Sequence, residues 1–300
     1  MTRQHALLAI HLAAVLFGLT GIFGELIGAD AMVITLGRAG FAVAALLAFM
    51  RWQGLPIWAG IDKRSALALG CAGIMLAIHW VTFFIAVKVG GVAIATLGFA
   101  SFPAFITLCE WLVLRERVSR QEWIILSLVT FGLILVTPSL DFRDQATEGL
   151  IWAIVSGFSF ALFTLINRKA AGQIAAYQVA CWENLVVVVI TLPFSLGSIG
   201  TISTLDWIWL ALLGVFCTAL SHYLLVSSLM ILKARSAGIV IALEPIYAIF
   251  FAAVLFSQYP GVRALVGGAI MIGAIIWSGL RKPENSPAGR PRPPRPRRRQ

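Results

Sequence analysis

From Ser65 to Leu114 the chain reads SALALGCAGIMLAIHWVTFFIAVKVGGVAIATLGFASFPAFITLCEWLVL, a stretch whose only charges are Lys88 and Glu110. One membrane-crossing helix needs about 20 mostly apolar residues. The stretch therefore holds two such helices, divided where Lys88 leads into Gly90 and Gly91. Barrel strands would be about ten residues long and alternate in polarity. These runs are continuous and about twice that length, so helices are the fold.

Outward from this pair, the same criterion predicts ten spans: 7–23, 32–50, 65–87, 91–114, 121–137, 149–166, 176–196, 207–231, 236–257 and 262–280. The chain is 60% hydrophobic and 12% charged, against about 25% charged residues in a soluble domain. A soluble fold is excluded. The expectation is an all-α polytopic membrane protein with ten transmembrane helices in the lipid bilayer.

Charge placement fixes the expected orientation. With a cytoplasmic N-terminus, the inside loops carry Arg3, Arg51, Lys63, Arg64, Arg115, Arg117, Arg120, Arg168, Lys169, Lys233 and Arg235, and the outside loops only Lys88, Arg143 and Arg263. That bias follows the positive-inside rule and puts both termini in the cytoplasm of a bacterial inner membrane. The net charge of +10 owes much to eight basic residues within 281–300. Residues 282–300 are expected to form a disordered basic cytoplasmic tail, with no nucleic acid as partner.

Displacing the chain by 142 residues superposes the third to fifth spans on the eighth to tenth. Ala95 meets Ala237, Pro103 meets Pro245 and Trp80 meets His222. A shift of 145 places Arg38 on Glu183. Each half has an odd number of spans, so the second must enter from the opposite side. The expected units are a first five-helix repeat at 1–140 and an inverted one at 141–281, an architecture that places a substrate site near the midplane.

The segment LGRAGFA around Arg38, the hairpin ending at Gly90 and Gly91, FASFPAFITLCEWLVLRERVS from Phe99 to Ser119 and ALEPIYAIFFAAVLFSQYP from Ala242 to Pro260 resemble the drug/metabolite transporter superfamily, EamA type. The detailed sequence looks most like the YddG-type aromatic amino-acid exporters. That resemblance implies export of amino acids and related small metabolites. It departs from the family where the ninth helix ends in Ser257 and Gln258 instead of an acidic residue.

Charged groups at membrane depth are costly and are functional candidates. Arg38 and Glu183 are such groups, with gating or coupling roles or with structural anchoring as the alternative. A rise of about 1.5 Å per residue separates them by roughly 11 Å along the membrane normal. A direct salt bridge is not expected; each should find a partner in its own half. Glu244 precedes Pro245 near the midplane and could meet a substrate ammonium, take up a proton or bond a neighbouring helix. His79 is a candidate for the pathway and His222 for coupling, or both are interhelical donors. Trp80, Phe83, Phe99, Phe102 and Trp182 are candidates to line an aromatic substrate cavity, although aromatics also face lipid. Trp52, Trp58, Trp207 and Trp209 read as interfacial belt, Lys88 as a snorkelling cation, and Gly18, Gly21, Gly24, Gly267, Gly268 and Gly273 as close-packing positions.

No GxxxxGK[ST] loop or HExxH occurs, and no Ser, His and acid set forms a triad. ATP is therefore not the direct driver, an enzyme is excluded, and no cofactor is implied. The four cysteines lack ligand spacing and read as packing residues, so no metal is expected. The expected function is secondary export of aromatic or neutral amino acids and related metabolites by alternating access through a central cavity. The alternative is proton-coupled efflux of hydrophobic cations, with Glu244 or Glu183 as counter-charge. A small molecule is the expected partner, and a monomer suffices.

Overall fold

A computed structural model of the chain describes residues 2–113, 115, 118–137, 144–170, 174–229, 240 and 243–280. The regular elements of the described residues are all helical, with no strand among them. The elements are α1 (Arg3–Leu26), α2 (Ala31–Trp52), α3 (Lys63–Phe99), α4 (Phe102–Leu112), α5 (Arg120–Val136), α6 (Gln145–Ala170) and α7 (Ala176–Ser195), followed by α8 (Thr204–Gly214), a π turn (Val215–Leu220), α9 (Ser221–Leu229), α10 (Glu244–Phe256) and α11 (Val262–Leu280). Six helical segments are long and apolar enough to cross a bilayer, and α4, α10 and Val262–Trp277 are shorter apolar helices. The chain is a multi-pass membrane protein.

Local chemistry sets where the helices start. The Asp30 carboxylate accepts from Val33 N at 3.0 Å and Asp62 from Ser65 N at 2.8 Å. Ser119 and Glu122 form a reciprocal capping box at the start of α5. Each satisfies backbone donors that an N-terminus leaves without a partner. Asp62 lies in the loop before α3, where hydrogen bonds from Ser65 hold its carboxyl below the usual carboxylate range.

α3 spans 37 residues. Straight, it would be about 55 Å long, nearly twice the hydrocarbon core of about 30 Å. It is broken at Gly91, where φ is 81° and ψ 165°, a conformation that favours glycine. Neighbouring α6 registers the reversal. Before the break, His79 lies against Ser156 and Gly90 against Gly149, so the two chains run antiparallel. After it, Gly98 lies against Ala153 and the Phe99 carbonyl against Gly157, so they run parallel. The hairpin expected to end at Gly90 and Gly91 is therefore made by a single residue, Gly91. The expected fourth span is also divided, by a turn at Ala100 and Ser101 ahead of Pro103.

The main core gathers Ile22, Ile34, Trp80, Phe84, Val187 and Leu210 from α1, α2, α3, α7 and α8. A second core joins α5 to α11 through Val129, Val136 and Met271. Outward-facing Val189, Phe194, Phe250, Val254 and Val262 are exposed, as a hydrocarbon surrounding allows. Helices approach closely at glycines. A Cβ on Gly24 would stand 2.7 Å from Phe84, one on Gly267 2.5 Å from the Gly132 carbonyl and one on Gly268 2.6 Å from Leu97. Gly18 and Gly21 are similarly crowded, whereas Gly273 has open space around it, so the packing role expected there does not hold.

Lys88 also departs from expectation. It is exposed, but instead of reaching water alone its ammonium donates to the Ile27 carbonyl at 2.5 Å and to the Glu25 carbonyl at 3.4 Å. A cation here complements the carbonyls at the end of α1. The tail, the hairpin at Lys233 to Arg235 and Ala237 lie outside the described residues, as do Glu116, Arg117 and Arg143.

Candidate functional site

The interior polar residues come from helices that pack face to face. On α2, Arg38 is 4% exposed. Its Nε donates to Thr218 Oγ1 at 2.7 Å, and a terminal nitrogen lies 3.5 Å from the Cys217 carbonyl. Its guanidinium carbon stands 4.0 Å above the Trp80 ring and 5.8 Å from Phe84. The guanidinium is thus sandwiched between a hydroxyl and an aromatic face, which stabilises a cation where water is scarce. The hydrogen-bond partner belongs to the second half of the chain, not to Arg38's own half as expected from its depth.

The π turn explains how Thr218 reaches Arg38. Thr218 Oγ1 donates to the Leu213 carbonyl five residues back at 3.1 Å, leaving its lone pairs to accept from Arg38. Such widened turns recur at functional sites. The same crossing is tight: a Cβ on Gly214 would lie 2.6 Å from the Arg38 carbonyl.

On α3, His79 is 7% exposed and enclosed by phenyl rings. Its ring stacks on Phe99 at 5.0 Å and lies 4.9 Å from Phe160 and 6.3 Å from Phe83. Phe99 stacks on Phe102 at 5.2 Å, and Phe160 meets Phe102 at 5.1 Å and Phe163 at 5.6 Å. His79 Nδ1 is 2.7 Å from Ser156 Oγ. The fold therefore brings together five residues expected from the sequence, His79, Phe83, Phe99 and Phe102 in one cluster with Trp80 beside Arg38. It adds Ser156, Phe160 and Phe163, which sequence reasoning missed. Their spacing of four and three puts them on one face of α6, a signal present in SGFSFALF from Ser156 to Phe163 but hidden by the apolar background.

Glu244 lies at the start of α10. No ion pair joins Arg38 to Glu244 or to Glu183 among the described residues. The Glu244 carbonyl would lie 3.1 Å from a Cβ on Gly18, so α10 starts against α1. His222 is half-buried and its ring faces Phe17 at 5.8 Å.

Two expected residues are not brought to this cluster. Glu183 is 4% exposed, and its Oε1 has no hydrogen-bond partner among the described residues. Trp182 turns to the loop before α3, donating to the Ile57 carbonyl at 3.2 Å and lying 4.2 Å from Trp58, ring centre to ring centre. Trp58, tilted 49° to Trp182, is thereby its ring partner, and Trp209 packs on Phe23 at 6.0 Å.

A second polar group ties the halves together at one end of the helices. Gln258 Nε2 donates to Glu25 Oε1 at 3.2 Å, and its Oε1 accepts from Val92 N at 3.4 Å beside the Gly91 break. Asp206 accepts from Gly28 N at 2.8 Å. Sequence reasoning noted that Gln258 replaces an acid but had no way to see that it seals the hairpin. Among the described residues no group of His, Cys, Asp and Glu could hold a metal ion.

Two consecutive segments, residues 4–137 and 147–280, each match the EamA-like transporter family. The chain belongs to that family. Within the drug/metabolite transporters it is similar to an uncharacterized transporter of Archaeoglobus fulgidus, 26% identical over 272 residues that cover 89% of this chain and 94% of that protein. It is 21% identical to the S-adenosylmethionine uptake transporter of Rickettsia prowazekii, covering 68% and 69% of the two chains. The pseudopaline exporter CntI of Pseudomonas aeruginosa is 25% identical, covering 81% and 84%. A solved crystal structure shares the fold with a TM-score of 0.67 at 14% identity, covering 94% of this chain and 100% of that one. The chain is a membrane transporter of small molecules, and not an enzyme.

Proposed function

We propose that this transporter exports aromatic and neutral amino acids, with related small metabolites, by alternating access through a cavity between two inverted halves. The halves are 1–140 and 141–281. The crossings number ten: α1, α2, the two arms of α3 with α4 continuing the second, α5, α6, α7, α8 with α9, α10 and α11. Both termini face the cytoplasm of a bacterial inner membrane, following the basic loops.

One observation carries the cargo class. The Arg38 guanidinium, with no ion pair among the described residues, stands 4.0 Å from the Trp80 ring, one residue from His79 and its phenyl cluster, and Glu244 opens α10 against Gly18 of α1. A zwitterion offers a carboxylate to the guanidinium, an ammonium to the carboxylate and a side chain to the rings. Charge-assisted hydrogen bonds of this kind are strong where water is excluded. The names of two relatives, an uptake transporter for S-adenosylmethionine and an exporter of pseudopaline, support small organic cargo. A buried guanidinium repels cations, which weighs against hydrophobic-cation efflux.

Alternating access needs contacts that form on one side and break on the other. The Glu25–Gln258–Val92 contacts, with Lys88 capping α1, fit an outer gate that is shut in this conformation. Arg38, Glu183 and His222 are assigned to gating or coupling, and His79, Trp80, Phe83, Phe99, Phe102 and Glu244 to the cargo path, whereas Trp182, turned to Ile57 and Trp58, is left out of it.

Reconstituted vesicles test the proposal. Amino acids, cationic dyes and an imposed proton gradient are supplied in turn. Flux of aromatic amino acids that falls in His79→Ala and Phe99→Ala is expected. Dye flux alone, abolished by Glu244→Gln, would overturn it.

A further inference from the structure

Resting on the amino-acid reading, we infer that Ser156 is a positioning residue that holds His79 as its Nδ1–H tautomer, so that the bare Nε2 accepts a hydrogen bond from an indole or phenol of the cargo.

The inference follows from counting protons. Ser156 Oγ lies 3.0 Å from the His79 backbone carbonyl oxygen and 2.7 Å from His79 Nδ1. A serine hydroxyl has one hydrogen and two lone pairs. The carbonyl can only accept, so the hydroxyl hydrogen must point at it; two oxygens 3.0 Å apart without a hydrogen between them would repel. Nδ1 then has to be the donor to Ser156 Oγ. A neutral imidazole carries one N–H, and with that hydrogen on Nδ1 the other nitrogen is an acceptor. A second proton would place a charge among Phe83, Phe99 and Phe160, and a charge buried without a partner is disfavoured.

The packing keeps this arrangement. Ser156 is fully buried at 0% exposure. α6 is held against α3 by contacts on either side of it: Gly149 on Gly90 and Gly157 on the Phe99 carbonyl. The ring itself is clamped between Phe99 and Phe160. No hydrogen bond to Nε2 occurs among the described residues. Nε2 is thus a single acceptor in phenyl surroundings. An aromatic side chain bearing an N–H or O–H satisfies it, and a plain phenyl ring leaves it unpaired. That asymmetry discriminates because an unpaired buried acceptor is costly.

Two measurements on the full chain test this. The first is ¹⁵N magnetic resonance of histidine-labelled protein in lipid nanodiscs, with His79 assigned by comparison with His79→Gln. Protonated Nδ1 and bare Nε2 are expected in the native chain and in Ser156→Thr, with loss of that state in Ser156→Ala. A native His79 protonated on Nε2 would overturn the inference whatever the cargo. The second is competition among tryptophan, tyrosine and phenylalanine for flux in proteoliposomes. The two donors are expected to be preferred over phenylalanine by about threefold to tenfold in KM, the equivalent of one hydrogen bond, and the ratio is expected to approach one in Ser156→Ala. An equal preference in the native chain would overturn the assignment of Nε2 to cargo. Absence of all amino-acid flux with Nδ1-protonated His79 would instead overturn the proposed cargo class, while Ser156 kept its place as the residue that sets the tautomer.

Discussion

Arg38 on α2 donates to Thr218 in the π turn at 2.7 Å, a bond that joins the first half of the chain to the second across the interior. Thr218→Val keeps the shape and removes the acceptor, leaving a charged donor unsatisfied. A loss of at least about 1 kcal/mol is expected, read as an earlier thermal unfolding transition in detergent. Thr218→Ser should retain most of the stability. Equal behaviour of the two variants would show that the bond contributes nothing.

The α2–α8 crossing depends on the lack of a side chain at Gly214, where a Cβ would stand 2.6 Å from the Arg38 carbonyl and from Phe41 Cβ. Gly214→Ala must push the helices apart and is expected to cost about 1–3 kcal/mol. Gly40, on the same helix as Arg38, has nothing within 4 Å of the corresponding position. Gly40→Ala is expected to be neutral or to stabilise by up to about 1 kcal/mol, since alanine favours the helix. The comparison is made by unfolding both variants under one set of conditions.

Gln258 bridges Glu25 and Val92, so Glu25→Ala with Gln258→Ala removes both side-chain ends of that bridge. The end of α1 and the break in α3, outward-facing in the proposed topology, should separate more often. With Cys71 replaced by Ser, a cysteine at Thr20 is expected to react several-fold faster with a membrane-impermeant maleimide applied from outside. An unchanged rate would rule out a gate at this point.

Trp182 and Trp58 lie 4.2 Å apart between ring centres, away from the cluster at His79. Trp58→Ala is expected to lower stability by about 0.5–1.5 kcal/mol beyond the loss of buried area and to leave the KM for aromatic amino acids within twofold of native. Phe160→Ala, which opens the wall beside His79, should raise that KM by tenfold or more. Proteoliposome flux measured over a range of concentrations separates the two.

Hydrophobic run length alone determined that this chain is a bundle of membrane helices, because no soluble packing could hide so many consecutive apolar residues. Charge at depth singled out Arg38, Glu183, His79 and Glu244 for the same reason: each is costly in hydrocarbon and must be satisfied somewhere. Where it is satisfied was decided only by tertiary structure. Depth along the membrane normal is fixed by residue count, but the angle at which helices cross is not, so Thr218 and Ser156 could not be matched to Arg38 and His79 beforehand. Nor could sequence separate Phe160, which closes the cluster, from Phe158, which is 41% exposed two residues earlier. In an apolar solvent both faces of a helix carry the same kinds of residue, and only the packing of α6 on α3 distinguishes the inner face from the outer.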